Sequence, residues 1–254
     1  MRLTQSPIVF IFSLALLSSS CVRKGHIQEF ANGTEINISL DSLFTKLESL
    51  SSMPNPNSEV LVEINEKIRR TIEHIGSQKL LAEIDAGYKT KKHHFSFILS
   101  DDKKIAVFSW PTRLENSGNR IKNIALYHSN DKMVPTSLYG TPIIYNGIHQ
   151  LKMYDGTTLY LLQGQDSMQQ KMLNRVNAYL LKNGYLEETP AFPNNETSIV
   201  TNGYSISSKM GPPCSIKIGI KGLKIQLQNV LDSSLAQNSL TFDGKKYVFD
   251  KELN

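Results

Sequence analysis

Among the side chains able to do chemistry, the thiol of Cys21 has the most informative setting. Three small residues, Ser18, Ser19 and Ser20, stand directly before it, and an apolar run from Ile8 to Leu17 precedes them, with Arg2 as the only charge. The run has the length of a signal-peptide core and is too short to cross a bilayer as a helix. Small side chains suit the cleft of a peptidase that cuts after Ser20, and a thiol at the position following the cut is what a diacylglyceryl transferase modifies. The remaining cysteine, Cys214, then has no partner, so no disulfide is expected, and a chain of 254 residues has core enough without one. Cys214 opens a strand-like run and reads as a small buried hydrophobe.

The Ser18–Cys21 stretch is similar to the bacterial lipobox, with one departure: Leu17 stands four places before the cysteine rather than three. The resemblance implies a lipoprotein; the alternative is plain secretion by ordinary cleavage after Ser20.

Other chemistry is harder to assemble. The histidines are His26, His74, His93, His94, His128 and His149, and no pair has the i, i+4 spacing of a helical zinc site. On a strand, His93 and His94 point to opposite faces, so they read as solvated edge residues and no metal is expected. Asp101 and Asp102 could be offered as a glycosidase pair, but that chemistry needs two carboxyls facing each other across a sugar. Adjacent aspartates between two hydrophobic runs fit a turn better. Trp110 is the sole tryptophan; it reads as a core anchor, with ligand stacking on a sugar or peptide as the alternative. No nucleophile elbow, phosphate loop or calcium loop occurs, so no catalytic set and no cofactor is expected.

Two kinds of element must position these residues. Leu40, Leu43, Phe44, Leu47 and Leu50 recur at helical spacing, with Ser39 or Asp41 placed to cap. Leu61, Ile64, Ile68, Ile72 and Ile75 predict a second helix ended by Gly76, and Leu80, Leu81 and Ile84 a third. From His93 the period becomes two: strands are predicted at Phe95–Leu99, Ile105–Trp110 and Asn123–His128. Asp155-Gly156 suits a type I′ hairpin between Ile148–Met153 and Thr158–Gln163. One inserted helix is expected from Ser167, capped with Gln170, along Met168, Met172, Val176 and Tyr179, and stopped by Asn183-Gly184. Strands return at Ile216–Ile220 and Leu223–Leu227, followed by a hairpin at Asp243-Gly244. The fold class is therefore α+β: N-terminal helices, then a meandering antiparallel β-sheet with one inserted helix. The organisation predicted is a signal peptide over 1–20, a lipidated tether over 21–38, and a single domain over 39–254, helical to 90 and mainly β from 91.

The formal charge of +5 becomes +4 without residues 1–20, and the basic residues are scattered along the chain, so nucleic acid is not an expected partner.

The run Ser100-Asp101-Asp102-Lys103-Lys104-Ile105 to Trp110-Pro111-Thr112 resembles a group of exported lipoproteins from Bacteroidetes, which carry a serine, an Asp-Gly-like turn, a strand and Ser-Trp-Asp-Thr. Gly156–Tyr160 and Asn177–Gly184 resemble the same group, whereas Asp102 and Pro111 depart from it. The resemblance spans about residues 80–190 and implies a Gram-negative envelope but no activity. Val22 is not the aspartate of an inner-membrane retention signal, and Arg23 and Lys24 replace the acidic residues of surface-exported lipoproteins. The expectation is an outer-membrane lipoprotein facing the periplasm, partnered by the membrane and by an unknown protein or glycan. A non-enzymatic binding or assembly module leads; a periplasmic hydrolase with a site invisible in sequence is the alternative.

Overall fold

Asn32, rather than Ser39 or Asp41, opens the first helix: its Oδ1 accepts the Glu35 N–H at 3.0 Å. A computed structural model describes residues 30–114, 120–140, 143–168, 171–204, 215–228 and 239–250. Cys21, Cys214 and Gln170 lie outside them.

Helix α1 is Gly33–Ser51, α2 Ser58–Glu73 and α3 Gln78–Tyr88. The tether expected over 21–38 therefore ends sooner than its composition suggests, because Ile36 and Asn37 already belong to the buried face of α1. Gly33 is needed where α1 crosses α3, since a Cβ there would sit 2.6 Å from the Cβ of Glu83.

The strands form three antiparallel sheets. The first has the order β1-β2-β3-β4, with β1 Ser96–Leu99, β2 Ile105–Pro111, β3 Ile121–Ser129 and β4 Lys132–Ser137. The second runs β5-β6-β7-β8 (Ile144–Lys152, Thr158–Met168, Lys171–Lys182, Tyr185–Glu188), with β9 (Ser198–Tyr204) pairing the other half of the same β7 edge. The third is β10-β11-β12-β13: Ser215–Ile218, Lys224–Gln228, Ser239–Phe242 and Tyr247–Phe249.

Strand alternation stacks these sheets into layers. Phe97, Ala106, Phe108, Trp110, Ile124 and Leu126 pack with the helices. Ile105, Val107, Ala125 and Tyr127 point the other way, onto Tyr145, Tyr160, Leu162 and Tyr179 of the second sheet. The far face of that sheet, with Leu159, Leu161, Val176 and Ala178, packs on Ile225, Leu227, Leu240 and Tyr247 of the third. The order is helices, sheet, sheet, sheet. The α+β class stands, weighted toward β.

The inserted helix is not there. The stretch expected to be helical from Ser167 is split between the end of β6 and β7, which pairs β6 continuously from Lys171 to Leu180. β7 is the central strand of its sheet, and Val176, Asn177, Ala178 and Tyr179 are buried on both faces. Burial against two layers overrides a helical spacing of Met and Val. Asn183-Gly184 is then a hairpin turn, with φ of 52° and 83° as type I′ requires, not a helix stop. At Asp155-Gly156, conversely, only Gly156 has positive φ (83°), and its N–H reaches the Met153 carbonyl at 3.0 Å. That is a three-residue loop with glycine in the left-handed position, not type I′.

Candidate functional site

The side chains best disposed for chemistry meet where the α3–β1 link crosses α1. Asp41, one turn before the buried Phe44, projects from α1 toward Lys91 and His93 of that link. Lys91 Nζ lies 2.6 Å from Asp41 Oδ2, and His93 Nδ1 lies 2.7 Å from Oδ1. Burial works to raise the Asp41 pKa, but Lys91 and His93 outweigh it and hold the carboxyl below its usual range. The His93 ring stacks on Tyr88 (centroids 4.6 Å apart, planes at 10°), and its side chain is fully buried. Tyr88 is itself fixed, its hydroxyl donating to the Phe95 carbonyl at 2.8 Å. So His93 is not the solvated edge residue its position beside His94 suggests; only His94 is exposed.

With Asp41 accepting at Nδ1, the neutral imidazole carries its proton there, and Nε2 is left with a lone pair. Nε2 is buried and makes no hydrogen bond. An aspartate-oriented histidine with a free Nε2 has the posture of a general base. A shallow cavity of about 280 Å³ adjoins it, lined by Tyr88, His93, His94, Phe95, Ser96, Ser109, Pro111 and Ile144.

A base of this kind needs a hydroxyl on Nε2. The two serines of the cavity are engaged elsewhere: Ser96 Oγ donates to the Tyr145 carbonyl at 2.5 Å, and Ser109 Oγ accepts the Tyr145 N–H at 3.2 Å. They are struts, joining β1 and β2 to β5 through both backbone groups of one residue.

A second polar group lies between the first two sheets. The Tyr145 hydroxyl donates to Asn177 Oδ1 at 3.3 Å, Asn177 Nδ2 to Glu188 Oε1 at 3.2 Å, and the Tyr179 hydroxyl to the same oxygen at 3.0 Å. Arg175 Nη2 donates to Ser198 Oγ at 3.2 Å, while its Nε and Asn123 Oδ1 are buried without partners. Arg120 and Asp166 form an ion pair between the same two sheets. Nothing in spacing could have found this network, because its members come from six separate strands.

Of the residues singled out from sequence, Asp101 and Asp102 are turn formers as read. Asp102 accepts from Ser100 Oγ, the Lys104 N–H and the Tyr160 hydroxyl, at 2.7, 3.1 and 2.7 Å. Trp110 has no face for a ligand: it is 1 % exposed, edge-on to Phe44 at 6.1 Å, with Nε1 donating to Asn65 Oδ1 at 2.9 Å. The stacking alternative is corrected to core anchor. Among the described residues no three His, Cys, Asp or Glu side chains converge on a metal position, and no helix is long and apolar enough to cross a membrane. No family model matches the chain, and no curated protein or solved structure matches it either.

Proposed function

We propose that the protein is an exported lipoprotein of a Gram-negative envelope, related to the Bacteroidetes group and held to the outer membrane through Cys21. Within that setting it acts as a binding or assembly module. The anchor reading is supported by the leader and the serines before Cys21. The observation that carries the binding reading is the use of Ser96 and Ser109: the hydroxyls beside the aspartate-oriented His93 serve as inter-sheet struts. The hydrolase alternative rests on the Asp41–His93 pair, whose free Nε2 would have to take its proton from a bound water or substrate.

Cys21→Ala tests the anchor. The variant is expected in the soluble fraction without palmitate label, where the parent chain sediments with membranes and is labelled; a variant that still sediments sinks the proposal.

Orientation is tested on cells. With Arg23 and Lys24 beside the lipid, each is drawn to anionic headgroups by about 1 kcal/mol, and the domain faces the periplasm. Protease added to intact cells should spare the protein and should cut it once the outer membrane is opened. Digestion on intact cells would place it outside.

A further inference from the structure

Six hairpin tips gather at one end of the layered sheets. The β1–β2 tip reaches the second sheet through the Asp102 N–H on Gln150 Oε1 (3.2 Å) and the Tyr160 hydroxyl on Asp102. The His128 N–H on the Lys104 carbonyl (2.8 Å) brings in the β3–β4 tip, and Gly184 of the β7–β8 tip lies against Ser129. The Tyr154 N–H donates to the Gly244 carbonyl at 2.9 Å, joining the β5–β6 and β12–β13 tips. Gly222 of the β10–β11 tip packs on Leu151 and accepts from the Tyr247 hydroxyl.

These tips carry a charge pattern the linear sequence disperses. Lys103, Lys104, Lys132, Lys152, Lys182, Lys221, Lys245 and Lys246 are all exposed there, and none joins an ion pair among the described residues. Five aspartates share these tips: Asp101 and Asp131 are exposed, whereas Asp102, Asp155 and Asp243 are held by hydrogen bonds within or beside their turns, so the lysines outnumber the carboxylates eight to five. Asp102 holds Ser100 and Tyr160, Asp155 accepts from the Thr157 N–H (2.9 Å), and Asp243 from the Lys245 and Lys246 N–H groups (2.7 and 2.8 Å). Among the lysines stand Tyr154, Tyr185 and Leu223, exposed by 77, 64 and 51 %. Lysines interleaved with exposed tyrosines suit the boundary between anionic headgroups and acyl chains.

Helix α1 also begins on that side. Gln78, at the start of α3, donates to the Lys103 carbonyl of a tip (3.2 Å), and α1 runs alongside α3 in the same direction. Gly33 contacts Glu83, Asn37 contacts Ile84, and Asp41 contacts His93 beyond the end of α3. The N-terminal end of α1 therefore faces the tips. Gly33 lies twelve residues after Cys21, a reach of at most about 40 Å.

We infer that the hairpin-tip end is a membrane-docking surface, which lays its lysines and Tyr154, Tyr185 and Leu223 on an anionic bilayer. The choice of a bilayer as occupant rests on the proposed anchor, but the contact is separable from it.

The test uses the full chain carrying Cys21→Ala, so that no lipid contributes, sedimented with vesicles of phosphatidylcholine alone or mixed with phosphatidylglycerol. Any contribution from the leader is the same in every variant. The expected result is binding to the anionic vesicles above the neutral ones, lost in high salt as the charges are screened. Changing Lys104, Lys132, Lys182 and Lys245 together to Gln should weaken anionic binding about ten-fold or more. The same change at Lys46, Lys67 and Lys92, on the helices and the α3–β1 link, should leave it unaltered. These side chains are exposed, and an unchanged circular dichroism spectrum checks that each variant folds. Equal binding to both vesicle types, equal binding by the tip variant, or retention of duplex nucleic acid in place of vesicles would each overturn the inference. Any of these could occur with Cys21→Ala still releasing the protein from cells, so the two proposals fail separately.

Discussion

Trp110→Ala should cost about 3–5 kcal/mol of folding stability. That is a fifth or more of what a typical domain has, taken as about 5–15 kcal/mol. The indole is fully enclosed between α1 and the first sheet, and its removal leaves a void against Phe44 and Phe108 that the surrounding strands cannot close. A polar consequence comes with it. Asn65 spends its amide on the Thr112 carbonyl at 2.9 Å and the Leu61 carbonyl at 2.8 Å, and its Oδ1 on the indole N–H. Asn65 thereby ties α2 to the end of β2. Trp110→Phe restores most of the volume but not the donor, and is expected to cost about 1–3 kcal/mol for the stranded Asn65 oxygen. Urea unfolding followed by circular dichroism separates the two variants without relying on the lost fluorophore. A loss below about 1 kcal/mol for Trp110→Ala would mean that the ring is not the core element described and would reopen the stacking role.

The helical layer was legible in the sequence because each helix has one wet face, so apolar residues recur by three and four. Leu61, Ile64, Ile68 and Ile72 are all buried as their spacing predicts. The start of α1 was not: Asn32-Gly33 looks like loop, and only the contact with α3 reveals that glycine is there for closeness. The hairpins at Asp102, Asp155 and Asp243 were legible through their turn residues and the alternation of their flanks. β7 was not, because a strand buried on both faces loses its alternation, and Met, Gln, Leu and Ala then give a helical reading by default. Asn183-Gly184 compounded the error, since an asparagine-glycine pair serves a helix end and a type I′ turn equally well. β4 carries Pro135, which demotes a strand in any sequence reading.

The oriented histidine was half legible. Its position before β1 could be read, but its partner Asp41 is 52 residues away and was assigned to a cap. The lysine-bearing end was wholly illegible. Eight basic residues dispersed over more than 140 positions average out in composition, and only the pairing of strands gathers them.

Alkaline unfolding is expected between pH 10 and 12, driven by tyrosines buried between the layers. Tyr145 is pushed up to about 12 by burial, and burial likewise raises Tyr160, Tyr179 and Tyr247, with Asp102 adding to the shift of Tyr160 and Glu188 to that of Tyr179. A folded-state pKa above the unfolded value means that the native chain keeps its proton after the unfolded chain has lost it. The stability these groups contribute is complete below pH 10 and is lost as pH rises toward the folded value. For Tyr145 the loss at pH 12 is about 2 kcal/mol, and the other three act with the same sign, enough together to threaten a domain of ordinary stability. Lysines also discharge in this range, so the tyrosine part must be isolated. Tyr145→Phe should start less stable at pH 8, by about 1 kcal/mol for the lost hydrogen bond to Asn177. It should then lose about 2 kcal/mol less than the parent chain between pH 9 and pH 12. The phenolate absorbance of the buried rings Tyr145, Tyr160, Tyr179 and Tyr247 should rise with unfolding rather than before it. If Tyr145→Phe follows the parent's stability through the whole range, the hydroxyl is not held in the closed seam between the sheets, and the packing of β5 on β2 is wrong.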